Sequence, residues 1–191
     1  MRILTIFGVI ILFAYCKGKP APVAQKENPD TTKYFQVVQF IQKEIDEVNR
    51  TPYFIYRLNI TGIKKDSTAI NNEGFNELAR QFMHPDINDP SIKKYYSESV
   101  FYDETTKSFN LSYTTTNKDL EIQNVDVLLK EDGETVKRIF IRKFFNYNDS
   151  SATEQLIWKP NERFQVIRLL QTSEGNNETS RQNIVVWNEK G

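Results

Sequence analysis

Few residues in this chain are equipped for chemistry. Cys16 is its single cysteine and His84 its single histidine. One thiol cannot close an intramolecular disulfide. One imidazole and one thiol cannot build a zinc centre of several His and Cys ligands. Acids do cluster: Asp86 and Asp89 lie within the stretch 84–90, Asp103 stands beside Glu104, and Glu131 beside Asp132. Paired carboxylates are the equipment of glycoside hydrolysis, and an acidic loop can touch Ca²⁺. The 84–90 stretch, however, lacks the glycine and the distal glutamate of an EF-hand loop. The pairs fall where turns are expected, and there acids serve solubility. No glycine-rich phosphate loop and no nucleophile elbow occurs. The expectation is a protein that is not an enzyme, with no catalytic residues, no metal and no cofactor.

Two further patterns carry little. Asn-x-Ser/Thr triplets begin at Asn49, Asn59, Asn110, Asn148 and Asn177, but Asn59 and Asn110 fall inside expected strands, so the triplets read as chance in an Asn- and Thr-rich chain. Lys137, Arg138, Arg142 and Lys143 alternate with Ile139, Phe140, Ile141, Phe144 and Phe145, a pattern that could stack single-stranded nucleic acid. Of 25 basic and 25 acidic residues, only Arg2 lies in the first sixteen, so the remainder is one charge short of balance. That balance argues against nucleic acid, which wants a basic excess or stripe.

The chemistry that does have a context is at Cys16. Arg2 starts the chain with a positive charge. Ile3 to Tyr15 is an apolar run broken only by Thr5. It is too short to cross a hydrocarbon core of about 30 Å, and it fits the apolar region of a secretory signal, about 7–15 residues long. Leu12-Phe13-Ala14-Tyr15-Cys16 resembles the lipobox of bacterial lipoproteins, with Phe13 and Tyr15 where that family prefers leucine and a small residue. The resemblance covers the leader alone. It implies that the leader is cut before Cys16, that Cys16 is acylated, and that the protein is anchored to a membrane by that lipid. Two or three acyl chains hold a protein stably where one does so only marginally. Ordinary signal cleavage after Cys16, releasing a free secreted protein, stays open as the rival. The expected location is the cell envelope, lipid-anchored, at the outer membrane facing the periplasm; the residues themselves leave membrane and leaflet open.

The elements beyond the leader must be built from a chain rich in Phe and Tyr, with 13 and 9 respectively, which can bury a real core. Residues 17–29, with Pro20, Pro22 and Pro29, read as a linker. Residues 30–191 read as one α+β domain. A first helix is expected over Asp30–Arg50, capped by Asp30 or Thr31, striped by Tyr34, Val38, Ile41, Ile45 and Val48, and ended by Thr51-Pro52. Tyr53–Ile63 alternates as a strand, with Phe54, Tyr56, Leu58 and Ile60 on one face. A second, short helix is expected over Asn72–Met83. From Ser97 onward strand follows strand, separated by polar turns such as the one at Asp132-Gly133. The fold expected is two helices packed on a curved, mainly antiparallel meander of about seven or eight strands.

Two functions fit this outline. One is a non-enzymatic envelope lipoprotein, structural or partner-binding, whose partners are the membrane and an envelope protein. The other is a carrier of lipid or another apolar ligand, because the order of elements is similar to the half-barrels of lipoprotein carriers. In that case Phe54, Tyr56, Phe109, Leu111 and Tyr113 should line a cavity on the helix side of the sheet, of about 300–1,000 Å³. A partner-binding module should instead show an exposed apolar patch or an unpaired strand edge. A divergent envelope hydrolase is the least favoured reading.

Overall fold

A computed structural model describes residues 34–172 and 179–188. Cys16, the apolar leader, the 17–29 linker and the cap candidates Asp30 and Thr31 lie outside those residues. Helix α1 is Val37–Arg50, shorter at its start than the expected Asp30–Arg50. The physical reason is tertiary. The Tyr34 hydroxyl donates to the Tyr96 carbonyl at 2.7 Å and the Phe35 amide donates to the Tyr113 hydroxyl at 2.8 Å, so 34–36 are held against the sheet outside the helix. The buried stripe is Val37, Ile41, Ile45 and Val48, and Thr51, extended before Pro52, ends it. Helix α2 is Asn72–Ala79. Asn71 caps it by accepting from the Gly74 amide at 2.9 Å, and a 3-10 turn, Arg80–Phe82, extends it. Pro90–Lys93 forms the single-turn α3.

The strands are β1 (Ile55–Thr61), β2 (Lys64–Ile70), β3 (Tyr96–Asp103), β4 (Ser108–Thr115), β5 (Ile122–Lys130), β6 (Val136–Asn146), β7 (Ser150–Lys159), β8 (Arg163–Thr172) and β9 (Thr179–Val186). They form one antiparallel sheet of nine strands in the order β2-β1-β9-β8-β7-β6-β5-β4-β3. The count exceeds seven or eight because the chain turns at Gly62, whose φ is +57°, and returns as a full strand. From β3 to β9 the sheet is a meander of neighbours. The early hairpin β1–β2 then joins the last strand, β1 lying beside β9. Register shifts between Ile122 and Asn124 and between Leu128 and Leu129 bend β5. The sheet stays open, with β2 and β3 at its two edges.

One face of the sheet carries the helices, and its centre is aromatic. The Trp158 ring lies 5.2 Å from Phe164, 5.1 Å from Phe82 and 5.4 Å from Trp187, centroid to centroid. Phe75 from α2 meets Trp187 edge-on at 5.3 Å. All five rings are buried. Glu44 of α1 reaches over them, its carboxylate accepting from the Asn161 amide at 2.8 Å and so tying that helix to the β7–β8 turn. The other face carries no helix among the described residues, and its apolar members, such as Ile157, Ile167 and Leu169, are half-buried.

Truncating a fully buried aromatic removes transfer free energy and leaves a cavity, typically about 3–5 kcal/mol. Trp158→Ala is therefore expected to lower stability by about that amount, read as a shift of the urea midpoint at unchanged slope. A loss below about 1 kcal/mol would mean that this ring cluster does not hold helices to sheet.

Candidate functional site

The polar candidates resolve into local structure. Asp86 accepts from the Asn88 amide at 2.9 Å, and Asp89 caps α3 through the Ser91 amide at 2.8 Å. Asp103 and Asp132 each close a hairpin turn, Asp103 accepting from Thr105 and Thr106, and Asp132 from Glu134 and Thr135. The hydroxyl and amide of Thr135, with the Glu134 amide, hold the Asp132 carboxyl down to about 2. Among the described residues no three His, Cys, Asp or Glu side chains gather as a metal site, and no helix is long and apolar enough to cross a membrane. The basic residues of β6 do not share one surface. Lys143 is buried on the helix side, where it pairs with Glu121 at 2.9 Å and donates to the His84 carbonyl, while Arg138 and Arg142 pair with Leu128 and Asn124 on the other face.

The residues expected to line a ligand cavity divide. Tyr113 is fully buried, and Phe109 and Leu111 pack against the core. Phe54 and Tyr56 are not on that side. Ile55 is the buried residue of β1, so alternation turns Tyr56 to the opposite face, and Phe54 is 74 % exposed. The apolar stripe of β1 was thus assigned to the wrong face. The gap seen among the described residues on the helix side is far below the expected size. The gap among Val37, Phe82, Ile87, Ile122 and Ile141 is about 10 Å³, at the lower limit of what one water needs. A larger hollow of about 320 Å³ lies at the β6–β7 hairpin, among polar residues such as Asn146, Ser150 and Thr172, away from the helices.

The feature that stands out is an edge. Among the described residues β3 pairs with β4 alone, and these leave its outer row of amides and carbonyls open from Ser97 onward. The Tyr96 carbonyl at its start is occupied by the Tyr34 hydroxyl. Sheet edges are ordinarily defended by lysine, proline, bulges or covering segments. The opposite edge, β2, carries Lys64, Lys65 and Asp66, all exposed. Along β3 the run Tyr95-Tyr96-Ser97-Glu98-Ser99-Val100-Phe101-Tyr102 has no lysine, arginine, proline or glycine. Val100 is 59 % exposed and Phe101 63 %, on alternate faces. Sequence reading identified this strand but not its position at the edge; its lack of basic residues, in a chain with 25 of them, was the available signal.

The edge is firmly held from behind. Besides the two bonds to Tyr34 and Phe35, the Tyr96 hydroxyl donates to the Ile122 carbonyl at 2.7 Å, and the Tyr34 and Tyr113 rings lie 4.7 Å apart. Burial, then the Glu121 carboxylate, pushes the Tyr96 phenol up to about 12. Burial also raises Tyr113, against the Phe35 amide that favours its ionised form, and raises Tyr34.

The chain matches no family model, no curated protein and no solved structure.

The three phenols hold their protons more tightly folded than unfolded. Their contribution to stability is complete below the unfolded value of 10.0 and is lost as pH rises through their raised folded values, which for Tyr96 is about 12. Urea midpoints are expected to be level with respect to these groups up to about pH 10 and to fall steeply above it. Tyr96→Phe should start lower, having lost a hydrogen bond, and fall less steeply. Parallel curves for the two proteins would show that Tyr96 is not part of the alkaline transition.

Proposed function

We propose that this chain is a bacterial envelope lipoprotein, anchored through lipid on Cys16, that serves as a non-enzymatic partner-binding module and engages its partner along the outer edge of β3. The observation that carries this reading is the undefended edge itself. Its open backbone groups supply the hydrogen bonds of strand addition, and alternate side chains supply selectivity. Val100 and Phe101 give it apolar contacts that neighbouring strands do not cover. The Tyr34–Tyr96–Tyr113 cluster keeps the strand in place before a partner arrives, which lowers the ordering cost of binding. The carrier reading lacks a comparable support, since the helix side is filled by Trp158, Phe75, Phe82 and Phe164.

Two measurements test the two halves of this proposal. Cys16→Ser is expected to move the protein from salt-washed envelope membranes to the released fraction; retention on the membranes would overturn the anchor. A benzophenone side chain placed at Phe101 of the full chain is expected to yield covalent adducts on illumination in cells, and one placed at Thr68 on β2 is not. Val100→Lys should abolish the Phe101 adducts while leaving stability within about 0.5 kcal/mol, as befits an exposed site. Absence of any adduct at Phe101 would overturn partner binding at this edge.

A further inference from the structure

Across the helix side of the sheet, one line of paired residues is apolar from end to end. Val185 pairs with Phe164, Phe164 with Trp158, and Trp158 with Ile139. Ile139 pairs with Val127, Val127 with Leu111, and Leu111 with Val100. At the β9 end the line is closed by polar side chains, Val185 pairing with Arg57 and Arg57 with Thr68. At the β3 end no described residue closes it: Val100 is the last of the line and lies more than half exposed. A core row that ends in polar residues on one side and in bare valine on the other is built to continue.

Resting on the partner-binding reading above, we infer that the occupant of the β3 edge is a second copy of this chain, added antiparallel about a two-fold axis at Val100. The free edge runs from Ser97, just past the occupied Tyr96 carbonyl, to Asp103, where β3 ends. Its midpoint is Val100. A two-fold axis normal to the sheet sets residues of one face opposite each other, as the pleat requires. Centred on Val100, it places Val100 against the partner's Val100 and Phe101 against the partner's Ser99, a small residue that leaves room for the ring. Glu98 then meets the partner's Tyr102, an uncharged side chain whose hydroxyl donates to its own Glu131, and Ser97 meets the partner's Asp103. No like charges stand opposite. Moving the axis one residue to Phe101 sets Glu98 against the partner's Glu104, and like charges directly opposed are destabilising. Moving it to Ser99 sets Val100 against the partner's Glu98. The register at Val100 alone continues the apolar row, as Leu111–Val100 followed by the partner's Val100 and Leu111. Copies anchored on one membrane surface would meet at raised effective concentration, which suits an edge of only about seven residues, roughly 24 Å long at 3.4 Å per residue.

The test is a disulfide across the axis in the full chain. Side chains directly opposed in an antiparallel pair have Cβ atoms about 4.5–5.5 Å apart, close enough for a bridge after small adjustment. Val100→Cys is expected to give a species of twice the monomer mass under mild oxidation, reversed by reductant. The parent chain and Thr68→Cys should not. Val100→Lys, with circular dichroism unchanged, is expected to halve the mass of the native species in detergent. If Val100→Cys stays monomeric while the benzophenone at Phe101 captures a different protein, self-pairing is overturned and the partner-binding reading stands. If neither probe reacts, both fall.

Discussion

The structure depends on the burial of Trp158 in the middle of the sheet. Its indole stacks on Phe164 from the neighbouring strand and meets Phe82 from the turn after α2 and Trp187 from the end of β9. Glu44 of α1 lies 3.5 Å from its ring nitrogen. One side chain therefore joins both helices, the centre of the meander and the chain's last described segment. Buried aromatics of this size dominate core energetics, and nothing in β1 or β2 could substitute for it. The pairing of β1 with β9 joins distant parts of the chain and brings the sheet to nine strands.

A sheet filled on one face and open at both sides must do something with its edges. This one treats them differently. The β2 edge projects lysines into solvent, and the β3 edge presents valine, phenylalanine and serine with two acids, Glu98 and Asp103, and no basic residue. The tyrosine cluster at the start of β3 is not a defence of the edge, since it occupies a single carbonyl. It is a brace that fixes where the free part begins. The same cluster decides where α1 starts, so the first helix and the open strand share one set of hydrogen bonds.

Alternation in the sequence located nearly every strand, and Ile41, Ile45 and Val48 of the expected α1 stripe are buried, with Val37 in place of Val38 and Tyr34 held outside the helix. The aromatic and β-branched runs after Ser97 left little choice but a meander, and Gly133, with a φ of +71°, sits at the turn its residue type implied. Alternation failed at β1. Phe54, Tyr56, Leu58 and Ile60 are more apolar than Ile55 and Arg57, so period two pointed them at the core. In the fold Ile55 faces the helices because β1 must match Val185 of β9, and its apolar face lies on the uncovered side with Ile184. The five residues expected to surround a ligand are accordingly split between a packed core and an exposed surface.

Composition and periodicity by themselves determined an α+β chain, a run of antiparallel hairpins, an apolar run over residues 3–15, and too few histidines and cysteines for a metal centre of those ligands. Those properties follow from local rules: side-chain alternation, turn residues, and counts of ligating groups. Only the tertiary structure decided which described strands stand at the edges, which face of β1 is inward, and that buried aromatic rings fill the centre of the helix side. Each depends on what lies next to a residue in space, and a strand's own residues do not say which of its two sides will find a neighbour.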